Sequence, residues 1–322
     1  MDLPINHTEQ AQPIMSEYRS INVPEGMAGE RLDAAMARMF GVSRTKAADL
    51  IDAGHVQVNA KKPIRSDRVA ENDFLEVTFP PVVDSLEIRA ELVEGMTVVY
   101  DDDDFCVIDK PVGVAAHPSQ GWEGPTVLGG LAALGYRIAT GGAPERQGIV
   151  HRLDVGTTGL MAVAKSEWAY SHIKQQFRER SVIKVYHTLV HGRLDPLIGS
   201  IDAPIARHPH HDFKFAVMDG GRDSVTHYET LEAMAHASLL EVHLETGRTH
   251  QIRVHMSAMR HPCVGDLMYG ADPTLANKLK LERQWLHACE LEIEHPSTNQ
   301  RMRFTSPYPA DLQRALDAIR EL

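Results

Sequence analysis

Short apolar runs separated by turns dominate the chain from Met96 to about Tyr308, and they constrain its fold more than any other feature. Helical spacing interrupts these runs only at intervals, notably at 167–178 and 311–321. Because the strand-like runs do not alternate regularly with helices, the sequence predicts an α+β fold rather than a doubly wound sheet. The six clearest runs lie at 97–100, 105–108, 160–164, 185–190, 239–244 and 301–305.

A smaller module precedes this region. Residues 1–20 are mixed polar and predict a flexible tail without the apolar stretch of a signal peptide. Two short helical patterns follow, the second with Ser43 as its N-cap and Gly54 as its end, and two strand-like runs come after them. We therefore predict a small module at 21–80, an acidic linker at 81–95 that begins near Pro80-Pro81, and a larger domain at 96–322.

The net charge of −11 does not exclude a nucleic-acid partner, because the charge is unevenly placed. Residues 69–109 carry twelve acidic side chains and one basic one, whereas residues 31–68 carry eight Lys/Arg against four Asp. Electrostatic potentials act through local patches. We predict that Arg44, Lys46, Lys61 and Lys62 contact RNA phosphates, with plain solvated turn residues as the alternative for the two turn lysines.

Motifs for cofactors and metals are absent from the sequence. It contains no glycine-rich phosphate loop, no dinucleotide fingerprint and no His-Glu-x-x-His zinc motif. The segments 208–211 and 101–104 could bind a metal, but a solvent-exposed loop and a solvated turn are favoured for them. The three cysteines lie far apart, and no run approaches the roughly 18 apolar residues of a membrane helix. We expect a cytoplasmic protein without metal, cofactor or membrane segment.

Three blocks combine His, Arg, Thr, Tyr and Gly within apolar surroundings, at 148–166, 184–190 and 245–256. In an extended loop, the side chains of Arg152 and Asp154 would point the same way. In the third block, a strand would place Arg253 on one polar face together with Thr249, Gln251 and His255. Such a face suits the floor of a wet cleft, where Arg253 could pair with a carboxylate and hold it ionised.

The first block resembles the signature of the RluA family of pseudouridine synthases, in which His-Arg-Leu-Asp precedes Thr-Thr-Gly-Leu and Ala-Lys. Residues 31–77 resemble an S4 RNA-binding domain. The resemblance extends over about 22–310, and the motifs at 207–209 and 225–228 are most similar to members that modify large-subunit ribosomal RNA. The blocks that follow the family order are 98–118, 151–165, 184–186, 247–255 and 264–270.

This resemblance implies a mixed, largely antiparallel sheet with a central cleft, and isomerisation of specific uridines in 23S rRNA. The enzyme would break the N-glycosidic bond and reattach uracil through carbon 5, as a monomer and without a cofactor. Asp154 would be the nucleophile, and both attack on the sugar and formation of a glycal remain open for it. Arg253 would pair with Asp154 and lower its pKa, and Tyr186 would lie against the uracil and accept the carbon-5 proton. The residues implied in substrate binding are Arg152, His151 and Thr158.

Two other functions remain open. The same chemistry on tRNA is one, and a catalytically silent RNA-binding assembly factor is the other; the presence of Asp154, Tyr186 and Arg253 together weighs against the silent protein. Each residue also has an ordinary alternative. Asp154 could be a surface ion-pair partner, Tyr186 a core aromatic, Arg253 a member of a sheet ion pair and Arg152 a phosphate contact only.

Overall fold

The chain folds as two units, Met1–Asp84 and Ser85–Leu322. The structure is a computed structural model, and it describes residues 17–40, 44–79, 87–119, 121–209 and 214–322.

The N-terminal unit packs two helices on a small antiparallel sheet. Its strands are β1 (Glu17–Asn22), β2 (Val56–Val58) and β3 (Phe74–Phe79), in the order β1-β3-β2. The helices are α1 (Leu32–Phe40) and α2 (Arg44–Asp52). Their apolar faces are buried against the sheet, with Leu32, Met36, Leu50, Ile51 and Leu75 at the centre of the core. Burial of this face is what stabilises such short helices. The predicted cap Ser43 lies outside the described residues.

Strand β1 corrects the prediction of a tail at 1–20, which is wrong for residues 17–20. The strand pairs along its whole length with β3, from Glu17 opposite Phe79 to Asn22 opposite Phe74. Its side chains from Tyr18 to Asn22 are exposed. A strand held mainly by backbone hydrogen bonds at a sheet edge needs no apolar alternation, so the sequence pattern gave no sign of it. Residues 1–16 of the predicted tail lie outside the described residues.

The larger unit contains a nine-stranded sheet in the order β4-β5-β6-β13-β7-β12-β11-β8, with β14 paired to β13. Neighbours are antiparallel except β6 and β13, which run parallel. The predicted α+β class with a mixed, largely antiparallel sheet is therefore confirmed. The strands are β4 (Thr97–Asp101), β5 (Phe105–Lys110), β6 (Thr158–Ala164), β7 (Ile183–His191), β8 (Ile198–Asp202), β11 (Val225–Ala233), β12 (Ala237–Leu244), β13 (Leu286–Glu294) and β14 (Arg301–Thr305), with β9 (Ile205–Arg207) and β10 (Phe215–Val217) as a separate pair.

Helices cover both faces of this sheet. Tyr186 and Val190 of β7 pack in one apolar cluster with Ile252, whereas Leu189 of the same strand packs in another with Leu312. Side chains alternate along β7, so Tyr186 lies on one face of the sheet and the C-terminal helix packs on the opposite face. The helices of this unit are α3 (Val127–Ala133), α4 (Glu167–Glu179), α5 (Gln251–Ala258), α6 (Pro273–Lys278) and α7 (Ala310–Arg320).

Helix α5 corrects the prediction that residues 249–255 form a strand with one polar face. Every residue from Gln251 to Met256 is buried. A helix buried on all sides has no solvated stripe, so the alternation of polar and apolar residues carried no information about its face. The polar members are tolerated because they are bonded: Gln251 donates to the Val225 carbonyl, and both ring nitrogens of His255 have partners.

The segment 87–95 packs on the second unit, so the predicted linker at 81–95 is wrong for this part. Ile88 and Val93 contact the apolar cluster that contains Leu128 of α3. The amide of Glu91 donates to the Gly129 carbonyl at 3.2 Å. The linker was predicted from the acidic composition of this segment, which gives no weight to the few apolar residues that attach it to the domain. Residues 80–86 lie outside the described part of the chain.

Gly159 is required where β6 meets β13. Its φ is +113°, and a Cβ added there would lie 2.2 Å from the carbonyl oxygen of Ala288 on the parallel strand. We predict that Gly159→Ala lowers the free energy of unfolding by about 2–5 kcal/mol, through backbone strain plus displacement of β13. Urea denaturation measures this change.

Gly135→Ala is the matched control, because Gly135 has a φ of +81° but open space around its Cβ position. Gly135→Ala should lower the free energy of unfolding through backbone strain alone, by about 1–2 kcal/mol. Equal losses in the two variants would contradict the role given to the β6–β13 contact.

Candidate active site

Asp154 lies on the loop that leads into β6, and its side chain borders a pocket of about 70 Å³. The backbone carbonyl of Asp154 accepts the amide of Thr157 at 3.0 Å, which closes a turn. The preceding residue, Leu153, is 4% exposed and is part of the apolar cluster that contains Tyr186. The loop is therefore anchored on one side while the carboxylate, 16% exposed, faces the pocket.

Arg253 of α5 contacts two carboxylates at once. Its Nη1 donates to Oδ2 of Asp154 at 3.3 Å, while Nε and Nη2 donate to the two oxygens of Asp266 at 2.6 and 3.0 Å. The guanidinium carbon also lies 4.9 Å from the ring centre of Tyr269. Burial disfavours the guanidinium charge, but the hydrogen bonds and charge of Asp266 more than offset it and raise the pKa of Arg253. Arg253 is thus a fixed cation beside Asp154.

Asp266 is the main partner of this arginine, and no role was predicted for it from the sequence. Its side chain is 1% exposed and it pairs with Arg253 through both oxygens. Asp266 lies in the block 264–270 that follows the family order, but that resemblance gave it no role. The physical signal was that a buried guanidinium needs more acceptors than one carboxylate oxygen provides.

Tyr186 of β7 borders the same pocket. It is 7% exposed, and its ring packs with Leu153 and Leu286. Burial raises the pKa of its phenol, and the charge of Asp154 raises it further. The side chain is therefore a protonated aromatic wall of the pocket at neutral pH.

His151 connects the loop to the sheet. Its Nε2 accepts the backbone amide of Ala162 at 2.9 Å, and its ring stacks on Phe177 at 4.7 Å between centroids. Burial lowers the pKa of His151 to about 3. The ring is therefore neutral, and it orients the loop three residues before Asp154.

Arg152 and Thr158, two other predicted substrate contacts, differ in placement. Arg152 is exposed and lines the pocket beside Asp154. Thr158 is 3% exposed, and its hydroxyl lies 2.9 Å from Nδ1 of His287. Thr158 is the first residue of β6, and its enclosed side chain contacts His287 rather than the cleft. Its role in substrate binding stays a prediction.

Lys110 lies close to the same loop and was not predicted as a site residue. Its ammonium is completely buried and donates to the carbonyls of Pro111, Val114 and Val155 at 3.0, 2.9 and 3.4 Å. Burial lowers its pKa to about 7, although the charge of Asp154 acts in the opposite direction. Because Val155 follows Asp154 directly, the hydrogen bond from Lys110 holds the loop on the C-terminal side of Asp154.

A larger cleft of about 570 Å³ adjoins the pocket, and Tyr186 borders both. Its lining includes six Lys/Arg residues and one carboxylate, Glu245, which is itself paired with Arg180 at 2.6 Å. A cleft lined mainly by positive side chains has a positive electrostatic potential that attracts anions. The basic lining residues are Arg146, Arg152, Arg178, Arg180, Lys184 and Arg248.

The basic residues predicted in the N-terminal unit are exposed where the structure describes them. Arg44 is 59% exposed and pairs with Asp33 at 3.3 Å. Lys61 and Lys62 are exposed and line a cavity of about 420 Å³. The side chain of Lys46 lies outside what is described.

Within the described residues, no group of three His, Cys, Asp or Glu side chains is arranged to hold a metal ion. Asp102 caps the turn between β4 and β5, where its Oδ1 accepts the amides of Asp104 and Phe105. Part of the 208–211 segment is outside the described range. No helix among the residues described is long and apolar enough to span a membrane.

Two family models match the chain. The model for RNA pseudouridylate synthase matches residues 104–258, and the model for the S4 domain matches residues 30–75. The first match includes Asp154, Tyr186 and Arg253.

The chain is similar over nearly its whole length to bacterial proteins. An uncharacterized RNA pseudouridine synthase of Mycobacterium bovis is 57% identical over 302 residues, which is 94% of this chain and 98% of that protein. The ribosomal large subunit pseudouridine synthase D of Xanthomonas campestris is 38% identical over 323 residues, with 97% and 96% coverage. The solved structure of human RNA pseudouridylate synthase domain containing 4 aligns with a TM-score of 0.55 at 25% identity, covering 70% of this chain and 93% of that one.

The pKa of His151, which burial lowers in the folded protein, predicts a pH-dependent stability. The unfolded chain protonates this histidine near its ordinary pKa of 6.5, whereas the folded form does so only near 3. The unfolded state therefore binds more protons within this window, and His151 loses its stabilising effect as the pH falls from 6.5 toward 3.

We expect the wild type to lose up to about 1.4 kcal/mol per pH unit relative to the non-titrating variant His151→Gln. Urea denaturation of both proteins at pH 7.0, 5.5 and 4.5 measures the difference. Parallel curves for the two proteins would contradict the neutral state of His151 in the folded protein.

Proposed function

Because the chain belongs to the RNA pseudouridylate synthase family, we propose that it isomerises specific uridines in large-subunit ribosomal RNA. Members of this family are isomerases that act on RNA. The observation that carries the proposal is the pairing of Asp154 with a buried arginine at the edge of a cationic cleft. The relatives named for large-subunit rRNA support that choice of substrate.

Asp154 is the nucleophile in this proposal. Its carboxylate lies in the pocket beside the place for the target nucleoside, where it assists cleavage of the bond between N1 of uracil and the ribose carbon. The detached uracil turns, carbon 5 bonds to the same ribose carbon, and the carbon-5 proton is released as N1 regains one. Arg253 holds the carboxylate in place, because Asp266 prevents the guanidinium from turning away.

Tyr186 contacts the uracil ring in the proposed complex. The aromatic wall supports a flat base, and stacking of this type is worth about 1–3 kcal/mol. Because the pKa of Tyr186 is raised by burial, the phenol keeps its own proton at neutral pH. This favours ring contact over the expected role of accepting the carbon-5 proton.

Arg152 and the cationic cleft hold the RNA around the extruded nucleotide. Extrusion of a base costs a few kcal/mol in a stacked helix and less in a loop. The exposed Arg152 is placed beside the pocket, where it can occupy the gap that the nucleotide leaves. The other basic side chains of the cleft face flanking phosphates, which fix register without reading sequence. His151 acts on this process only through the loop.

The N-terminal module provides a second RNA-binding surface in this proposal. We assign the N-terminal unit, from β1 onward, to an S4-like RNA-binding domain and the second unit, from 87 onward, to the catalytic domain. Arg44, Lys46, Lys61 and Lys62 contact phosphates in this proposal. The protein acts as a monomer, needs no cofactor for this redox-neutral reaction, and meets ribosomal RNA in the cytoplasm.

Tritium release from uridine labelled at carbon 5 tests the function. Wild type and Asp154→Asn are compared on transcribed 23S rRNA and on tRNA, with Asp202→Asn, an exposed carboxylate on β8, as the matched control. We expect release on rRNA by wild type and by the control, and a loss of at least about 10³-fold in the Asp154 variant, as for removal of other nucleophiles.

Release on tRNA alone would keep the chemistry and overturn the rRNA substrate. Equal release by Asp154→Asn would overturn the nucleophile. Binding of RNA without release, on naked rRNA, tRNA and ribosomal particles alike, would favour the silent RNA-binding protein.

A further inference from the structure

His250 occupies a strained position next to Asp154. It is the residue before α5, and its φ of +57° lies in the left-handed region that non-glycine residues rarely adopt. Its side chain is 16% exposed and its ring lies between Asp154 and Tyr269. Strained residues that persist beside a catalytic group often have a function there.

The hydroxyl of Tyr269 determines which nitrogen of His250 carries the proton. The amide of Phe215 donates to this hydroxyl oxygen at 3.1 Å, and Nδ1 of His250 lies 2.8 Å from the same oxygen. Among the described residues, Nδ1 is the only acceptor in reach of the hydroxyl hydrogen. With Tyr269 donating to Nδ1, the hydrogen of the neutral ring is on Nε2.

The ring is neutral at pH 7 in the structure as it stands. Burial lowers the pKa of His250, although the charge of Asp154 opposes this change. A neutral ring with its proton on Nε2 offers one donor, and that donor points toward Asp154. The distance from Nε2 to Oδ2 of Asp154 is 3.8 Å, longer than a hydrogen bond. Such contacts in empty sites commonly shorten when substrate binds.

Two donors thus converge on the same oxygen of the nucleophile. Nη1 of Arg253 lies 3.3 Å from Oδ2 of Asp154, and Nε2 of His250 lies 3.8 Å from the same oxygen. Within the described part of the chain, Oδ1 of Asp154 has no hydrogen-bond partner. Holding one carboxylate oxygen from two directions fixes the plane of the group and leaves the other oxygen open to the pocket.

We propose that His250 is a positioning residue that, together with Arg253, holds Oδ2 of Asp154 so that Oδ1 faces the ribose carbon. Tyr269 acts through His250 by fixing its tautomer. This inference rests on the proposed function, because it assigns a task within the same reaction. His250 itself need not touch the substrate.

Single-turnover tritium release and RNA affinity, measured on the full chain, test this role. The variants are His250→Leu, His250→Gln, Tyr269→Phe and the double variant His250→Leu/Tyr269→Phe. Glutamine can place an amide donor near the position of Nε2, and phenylalanine keeps the ring beside Arg253. His255→Gln is the matched control, since His255 is a buried histidine of the same helix whose partners are Thr226 and Ala203.

We expect His250→Leu to lower the single-turnover rate by about 10- to 100-fold, as for loss of other orienting groups, with the RNA Kd unchanged. His250→Gln should recover most of this loss. Tyr269→Phe should lower the rate by a smaller factor, and the double variant should be no slower than His250→Leu, because both residues act through one hydrogen bond. His255→Gln should not change the rate.

A rate for His250→Leu within twofold of wild type, with Asp154→Asn inactive, would overturn the inference and leave the proposed function intact. Equal loss in His250→Leu, His250→Gln and His255→Gln, with lowered melting temperatures, would also overturn it in favour of a structural role. No release by wild type would instead overturn the proposed function, and the inference with it.

Discussion

The geometry of the site depends on one buried guanidinium shared between two carboxylates. Asp266 binds Arg253 through both oxygens, and the remaining amino group of Arg253 faces Asp154. A single ion pair between Arg253 and Asp154 would leave the guanidinium mobile and underbonded, which is costly in a buried setting. The second carboxylate removes both problems, and the two hydrogen bonds that it accepts from Arg253 offset the cost of its own desolvation. The nucleophile can then remain partly solvated and accessible.

The sheet brings these groups together from distant parts of the chain. Asp154 precedes β6, Tyr186 lies on β7, and Arg253 follows β12, with β13 between β6 and β7. The parallel contact of β6 with β13 at Gly159 sets where the loop ends, and His151 and Lys110 hold the loop on either side of Asp154. Strand order therefore fixes the distances between groups that are about 30 and 70 residues apart in sequence.

Sequence patterns predicted most of this architecture but not the conformation at its centre. The strands near 105–110, 158–164 and 183–191 and the helix at 167–179 were recognisable, because they bury regular apolar faces. The helix that carries Arg253 was not, since its buried polar residues are satisfied by partners far away in the chain. Asp266 and His250 were missed for the same reason: their importance arises from three-dimensional contacts with Arg253 and Asp154. Local periodicity reports burial, whereas polar networks depend on the completed fold.

The single-turnover rate of Arg253→Lys on labelled rRNA tests the central claim most directly. Lysine keeps the charge, but its one nitrogen cannot bind both oxygens of Asp266 and also reach Asp154. Arg320→Lys, at an exposed pair with Glu232, is the matched control. We predict a rate loss of at least about 100-fold for Arg253→Lys, in line with misplacement of a catalytic group, and no change in the control. A folded Arg253→Lys protein that reacts within about threefold of wild type would show that charge alone is sufficient, and would contradict the account.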